Sequence, residues 1–437
     1  MGNVHLPALV AAARDAQHSV GELILDERLA CATRAGEALV ASRAEIIDTA
    51  VAEAGQPVRF ARREFDTALG FIGALSEIAD GIRSRPVTAI TGETILEWAP
   101  YGVVLGWHAA NSPVWVPTLV SLSALVGGNS VLCRPSSRVR ATSGLVLEAI
   151  GTAWPERALQ IVDGERDTAE RLIWHDGVDA VVTHASSATC KRHLALLGRA
   201  YADGTRLRPY IPEGSGNDAF LVLPGADIPR AAAAIATAAF SNSGQLCMAA
   251  KRIIVVEQVW PALAPALVDA VAGLTIGDPR AEDTDIAPLS HGRALVRAHE
   301  DLAEALAGGG TVVAGGGDVD GVLTPTIIRL PHDARSVRLW REESFAPVRA
   351  LVVATDVEDA IHLANDSIYG LGAAVFGGTD EVLGRLRAAR IVKDESPLYQ
   401  DPHLVVGGVG ESGFAGARPK LEQLVYARRV HRGAGGR

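Results

Sequence analysis

Cysteine is scarce in this chain. The four present, Cys31, Cys133, Cys190 and Cys247, are widely spaced and form no CxxC pair. That excludes a disulfide scaffold or a structural zinc site and points to free thiols in a reducing compartment; no metal site is expected. Long apolar runs are also missing. The longest stretch of small apolar residues, 231–240, is about half of the ~20 residues that cross a bilayer. The first seventeen residues have no charged segment leading into a long apolar run, and Leu6 stands where myristoylation requires Ser or Thr. Neither a secretory signal nor a lipid anchor is therefore expected, and the expected location is the cytoplasm. Positive charge is in deficit, with 41 Lys and Arg against 51 Asp and Glu for a net −10, which argues against a nucleic-acid-binding surface. Aromatic residues make up only 5%, so small and branched aliphatic side chains must build the core.

What is present is ordinary globular composition, 48% hydrophobic and 21% charged over 437 residues, a length that favours two or three domains. Residues 20–80 carry helical periodicity, broken at Gly55-Gln56-Pro57 and resuming over 60–82. A hairpin-like segment follows over 91–98 and ends at Pro100-Tyr101-Gly102. Beyond it, short apolar runs at 103–105, 130–133, 159–162 and 180–183 alternate with helical stretches at 121–126, 143–154 and 169–173. Strands separated by helices at this spacing predict a parallel sheet with right-handed crossovers, although no strict GxGxxG is present. A second alternating block places strands at 220–223, 252–256, 311–314 and 350–354, with helices at 229–240, 261–273 and 296–307. The boundary between the two blocks falls near residues 213–216.

One segment carries chemistry, Phe240-Ser-Asn-Ser-Gly-Gln-Leu-Cys247. A thiol on a glycine-containing loop can approach a substrate closely, and as thiolate it is a nucleophile. A helix beginning after Cys247 would favour the thiolate with its positive end. The plainer reading is a small buried hydrophobe, where most free cysteines lie.

The pattern Asn242, Gly244, Gln245, Cys247 resembles the active-site signature of the aldehyde dehydrogenase superfamily, and the resemblance runs over nearly the whole chain. Pro100-Tyr101-Gly102, Asn111-Ser112-Pro113, Gly128-Asn129 and Arg134-Pro135-Ser136 follow the family order. So do Gly277-Asp278-Pro279, Pro325-Thr326, the run Glu342 to Pro347, Tyr369-Gly370-Leu371, Gly407-Gly408 and Ser412-Gly413. The resemblance implies an α/β protein with two Rossmann-like domains, parallel-rich sheets and a small β oligomerisation element. Residues 1–86 and 106–213 would bind the cofactor, 214–419 would form the catalytic domain, and 87–105 with 420–437 would join subunits into a dimer or tetramer. It further implies oxidation of an aldehyde to an acid with NAD or NADP. Cys247 would form a thiohemiacetal and then a thioester, Asn111 and the Cys247 N–H would hold the oxyanion, and Glu213, 34 residues before Cys247, would activate the hydrolytic water. Arg134 and Ser137 would lie at the adenosine ribose, Ser186 at the pyrophosphate on a helix N-terminus, Glu343 at the nicotinamide ribose and Phe345 near the ring. Alone, Glu213 reads as a solvated loop carboxylate, Asn111 as a turn residue before Pro113 and Ser186 as an ordinary N-cap.

Several positions depart from the family. The chain is shorter than most members at its N-terminus, where an early strand or arm is expected to be missing. Ala109-Ala110 replaces Pro-Trp before Asn111. Ser137 replaces an acid that would repel a 2′-phosphate, and with Arg134, Arg138 and Arg140 nearby NADP is expected to be accepted. Val405-Val406 replaces a Pro-Phe pair, and Gly410 stands where Lys is common. Ser112, Trp115, Ser241 and Leu246 are expected to line the substrate pocket. Behind Glu213 the usual Leu-Gly-Gly is Gly214-Ser215-Gly216-Asn217, which is similar to the CoA-acylating branch. The rival reading is therefore an acylating enzyme that passes the acyl group to CoA or a carrier protein. A rival of another class is a non-catalytic family member with a binding or structural role, against which the joint presence of Cys247, Asn111, Glu213 and Glu343 counts.

Overall fold

Apolar side chains three and four apart make the first eighty residues helical. A computed structural model describes residues 6–88, 92–333, 335–398, 401–403 and 407–433. Thr91, Val405, Val406 and the tail from 434 lie outside the described residues. The helices Leu6–Glu22, Leu25–Ala41, Arg43–Ala54 and Val58–Ala79 come first; Leu6–Glu22 begins well before the stretch whose periodicity predicts helix. In Val58–Ala79 the residues Ala61, Phe65, Ala68, Phe71, Leu75 and Ile78 form the buried stripe.

Strands β1 (Arg85–Val87) and β2 (Glu93–Pro100) pair antiparallel, and β2 also takes the C-terminal β19 (Val425–Arg432) along eight residues, from Val425 opposite Pro100 to Arg432 opposite Glu93. The hairpin stops there. Val103 to Leu105, which the sequence reading placed both in this element and in the parallel sheet, belong to β3 (Val103–Trp107), the centre of a different sheet. That sheet contains β4 (Ser130–Arg134), β5 (Leu159–Ile161), β6 (Ala180–His184) and β7 (Tyr210–Glu213) in the order β5-β4-β3-β6-β7, all parallel. Chain order reverses between β3 and β6, which opens a crevice at the carboxyl ends of these two strands. Val104, Leu105, Val131, Leu132, Val181 and Val182 are fully buried, as expected of parallel strands covered by helices on both faces.

The second sheet starts five residues after the first ends. It holds β8 (Asp218–Val222), β9 (Ala250–Val256), β10 (Thr311–Ala314), β13 (Thr326–Arg329), β14 (Val348–Ala354), β16 (Gly372–Phe376) and β17 (Arg390–Lys393). Their order is β10-β13-β14-β9-β8-β16-β17, parallel except for β10. Two short ribbons complete the strands, β11 (Asp318–Val319) with β12 (Val322–Leu323), and β15 (Tyr369–Gly370) with β18 (Val409–Gly410). Among the described residues no helix is long and apolar enough to cross a membrane.

The Gly128-Asn129 pair has a physical reason. Asn129, fully buried, accepts from Gly102 N (2.9 Å) and donates to Ala124 O (3.0 Å) and Leu424 O (2.9 Å). One amide thus ties the turn before β3, the end of the helix Trp115–Val126 and the root of β19. Asn129→Ala would leave Gly102 N and Leu424 O unsatisfied, while Ala124 O keeps the backbone N–H of residue 129 (2.9 Å), and is expected to lower unfolding free energy by about 3 kcal/mol. Urea denaturation checks this, and an unchanged midpoint would refute the account.

Candidate active site

The Cys247 loop is built by a reversal of the chain. The helix Ile228–Phe240 ends at Ser241, and Asn242, Ser243 and Gly244 then take left-handed φ values of 53°, 54° and 75°. Two consecutive non-glycine residues in that region are sterically costly, so the surroundings must hold them. Ser243 Oγ donates to Ala287 O (2.8 Å) and accepts from Ala287 N (2.9 Å). Gln245 Oε1 accepts from the backbone and hydroxyl of Ser290. Arg349, fully buried on β14, donates to Gly244 O (3.1 Å), Ala239 O and Ala346 O (2.6 Å). Burial pushes its guanidinium down to about 9, and the ring of carbonyls replaces its water.

No helix follows Cys247. Met248 and Ala249 turn, and β9 begins at Ala250, so helix-dipole support for a thiolate is absent. A buried cation takes that place. Lys251 Nζ donates to Leu246 O (2.7 Å) and Cys247 O (2.5 Å) and lies 3.5 Å from Glu343 Oε1. Cys247 is partly exposed as a residue, though its thiol is largely covered. Burial pushes it up to about 12, with Lys251 opposing and Glu343, Asp218 and Glu213 reinforcing the rise. The other three cysteines are buried free thiols.

Asn111 is brought to this loop from the first sheet. Its carbonyl accepts from Gln56 Nε2 (3.0 Å) and Asn242 Nδ2 (3.4 Å). Glu64 fixes the next turn, accepting from Val114 N (2.9 Å) and Trp115 N (2.8 Å) at the start of the helix Trp115–Val126. An anion at a helix N-terminus is well placed, yet burial raises this carboxyl to about 7. The Asn111 side chain and the Cys247 N–H are free to act as donors, since neither bonds to another group among the described residues.

Glu213 ends β7 and is buried, not a solvated loop carboxylate. Its Oε1 accepts from Lys420 Nζ, and its Oε2 has no partner among the described residues. Burial pushes the carboxyl up while Lys420 opposes. The run behind it is a matter of packing. A Cβ at Gly214 would meet Glu411 O at 2.6 Å, and one at Gly216 would meet Cys247 O at 2.3 Å. Ser215 N donates to Ser187 Oγ (3.0 Å), and its carbonyl accepts from Ser412 Oγ (2.6 Å). These small residues let the link between the sheets lie against the cysteine loop.

Polar groups without partners line the crevice at the ends of β3, β6 and β7. Both ring nitrogens of His108, His184 Nδ1 and Glu213 Oε2 are buried and unsatisfied among the described residues. Burial holds His108 neutral, pushed down to about 3. Ser186 caps the helix Ser187–Ala202, bonding Thr189 N, and is exposed. Arg134, at the end of β4, stacks 4.2 Å over Trp107, and neither it nor Arg138 has an ion-pair partner among the described residues. Arg140 does, in Asp163, which takes it out of the cation cluster expected beside the exposed Ser137. Glu343 Oε1 holds Gly216 N (3.1 Å) as well as Lys251, and Phe345 is half-buried nearby in sequence. Such a set suits a nucleotide: a helix N-terminus, unpaired cations and unsatisfied buried polar atoms at a topological switch point.

A cavity of about 510 Å³ adjoins the loop, lined by Leu246 and Met248 on either side of Cys247, Ser112 beside Asn111, and Phe60, Phe71 and Trp115. Ser241, expected among its walls, instead lines a separate cavity of about 140 Å³. Sequence reasoning did not find Lys251, Arg349 or Lys420. Lys251 and Arg349 sit at the edges of strand-like runs, where a lone cation was the available signal.

The fold is shared with dehydrogenases. The NADP-dependent glyceraldehyde-3-phosphate dehydrogenase of Bacillus halodurans C-125, solved with NADP, superimposes with a TM-score of 0.89 at 25% identity over 98% of this chain and 91% of that one. The description "Aldehyde dehydrogenase family" matches residues 2–427, and the chain belongs to that family. Curated relatives include the NAD(P)+ succinate semialdehyde dehydrogenase Sad of Escherichia coli K12, 30% identical over 87% of this chain and 82% of its own length. The NAD(+) benzaldehyde dehydrogenase of Pseudomonas putida is 29% identical over 94% and 84%.

The role of Lys251 is testable. Lys251→Met removes the cation beside Cys247, so the thiol should rise further. Alkylation by iodoacetamide at pH 8–9 should slow about tenfold, the change that one pKa unit gives. In both proteins the rate should climb with pH, since only the thiolate reacts. Equal rates would rule out Lys251 as the electrostatic support.

Proposed function

We propose that the protein oxidises an aldehyde to a carboxylic acid with NAD(P)+, Cys247 acting as nucleophile. The observation that carries this is what meets at the loop of the partly exposed Cys247: the Asn111 backbone, held by Asn242, and the link that follows the buried Glu213, whose Oε2 is unpartnered among the described residues. Cys247 Sγ, its proton passed to solvent, adds to the carbonyl carbon, and the Asn111 amide and Cys247 N–H hold the oxygen that becomes anionic. Each such donor is worth about 10²–10³ in rate. When bound, NAD(P)+ would supply the acceptor for the hydride that leaves the substrate carbon as the Cys247 thioester forms. Glu213 then takes a proton from water, whose oxygen attacks the Cys247 thioester and releases the acid and the thiol. Arg134, Ser137, Ser186, Glu343 and Phe345 would hold the cofactor in the crevice of the first sheet. NADP is accepted in this reading, because Arg134 and Arg138 keep their charge available beside Ser137. The unit of residues 1–86 and 106–213 serves the cofactor, with β3 in it, and 214–419 serves catalysis.

The cavity favours a bulky apolar or aromatic aldehyde. Its walls are Phe60, Phe71, Trp115, Leu119, Leu246 and Met248, and its cations Arg59 and Arg62 are tied to Asp285 and Glu282. Arg63, exposed on the same helix and without an ion-pair partner among the described residues, offers an anionic substituent a place toward solvent, while the buried cations of the lining, Arg390 and Lys420, are engaged by Pro397 O and Glu213.

The test is NAD(P)H formation over a panel of aromatic, aliphatic and carboxylate-bearing aldehydes, with NAD+ or NADP+, with and without CoA. Turnover without CoA is expected, lost in Cys247→Ser and Glu213→Gln, with NADP+ supporting it. Turnover only with CoA would give the acylating reaction instead, and a far weaker NADP+ than NAD+ response would remove the argument from Ser137.

Subunit assembly is proposed through the sheet of β1, β2 and β19. The outer edge of β19 is exposed, and such an edge pairs readily. Sedimentation should give the mass of a dimer or tetramer; the mass of one chain would refute it.

A further inference from the structure

The catalytic unit does not contain every charged group at the base. Lys420 comes from the short helix Lys420–Gln423 that leads into β19. It is as buried as the carboxylate it meets. Its ammonium group bonds Glu213 Oε1 and Gln423 Oε1 (3.3 Å), and it also lines the 510 Å³ cavity. We infer that Lys420 is the positioning residue of the hydrolytic step: it holds Oε1 of Glu213 and leaves Oε2, unpartnered among the described residues, as the oxygen available to water. The inference rests on the role given above to Glu213.

Burial pushes this carboxyl up. A buried ammonium partner opposes that rise without occupying both oxygens. The other groups that face Glu213 do not supply this charge. His184, its register neighbour on β6, is held neutral by burial, by Lys420 and by His108. Cys190, on the helix after β6, is pushed up to about 11 by burial. Cys247, on the catalytic loop, is pushed up to about 12. Lys420 is the cation that meets the carboxylate directly.

The experiment is a double-mutant cycle on the whole enzyme with Lys420→Met and Glu213→Gln, read as steady-state kcat, its pH profile and the pre-steady-state burst of NAD(P)H. Without the cation the carboxyl protonates at higher pH, so the acid limb of kcat should move upward by about one unit or more. At neutral pH kcat should fall about tenfold or more, a substantial part of what a general base contributes, and fall further than the burst rate. In the Glu213→Gln background the same Lys420→Met change should cost less than about twofold, because it acts only through the carboxylate. An equal loss in both backgrounds, or an unmoved acid limb, overturns the inference. If Lys420→Met does not fold, Lys420→Gln keeps a donor without charge, and the same two comparisons decide. Hydrolytic turnover that survives Glu213→Gln would refute the base assignment itself, whatever Lys420 does.

Discussion

The site depends on one constraint, the left-handed reversal at Asn242, Ser243 and Gly244 that turns the chain from a helix into β9 with Cys247 at the bend. Left-handed backbone is unfavourable for Asn and Ser, and it leaves carbonyls that no ladder can satisfy. The fold answers with buried cations. Arg349 binds the carbonyls before the thiol and Lys251 binds those at it. Each cation needs carbonyls to replace its hydration, and the loop needs donors, so each makes the other tolerable.

The same logic links the two sheets. β7 ends in Glu213 and β8 starts at Asp218, and the link between them must pass against Cys247. Only glycine fits at 216, and Ser215 bonds back to Ser187 and toward Ser412. Glu213 from the first sheet, the proposed base, and Cys247 from the second, the proposed nucleophile, are thus brought near each other by close backbone packing at Gly216. This accounts for the Gly-Ser-Gly-Asn run by packing, so the run no longer argues for an acylating enzyme.

Charge placement decides what the crevice can bind. Both ring nitrogens of His108 and Nδ1 of His184 are buried without partners among the described residues, a costly arrangement in an isolated chain. Around them the cations divide. Arg140 is neutralised by Asp163, whereas Arg134 lies flat on Trp107 with no counter-ion among the described residues. A nucleotide answers both conditions at once.

Residue spacing by itself determined the alternating strands and helices, because burial on both faces of a parallel sheet requires continuous apolar runs. The motif order likewise determined the family and marked Cys247, Asn111, Glu213 and Glu343. Spacing missed the first helix, the extent of β3 and the strands β7, β13, β16 and β17, whose apolar runs are interrupted or bounded by glycine, proline, threonine or charged residues. Only the tertiary structure decided what supports the thiol and the base. The residues after Cys247 turn into a strand rather than a helix whose positive end would favour a thiolate, and a positive charge comes instead from Lys251, four residues on. The partner of Glu213 is Lys420, more than two hundred residues away in sequence. Local patterns report which face of an element is buried, whereas a buried charge is stabilised by whatever the fold brings within reach, at any distance along the chain.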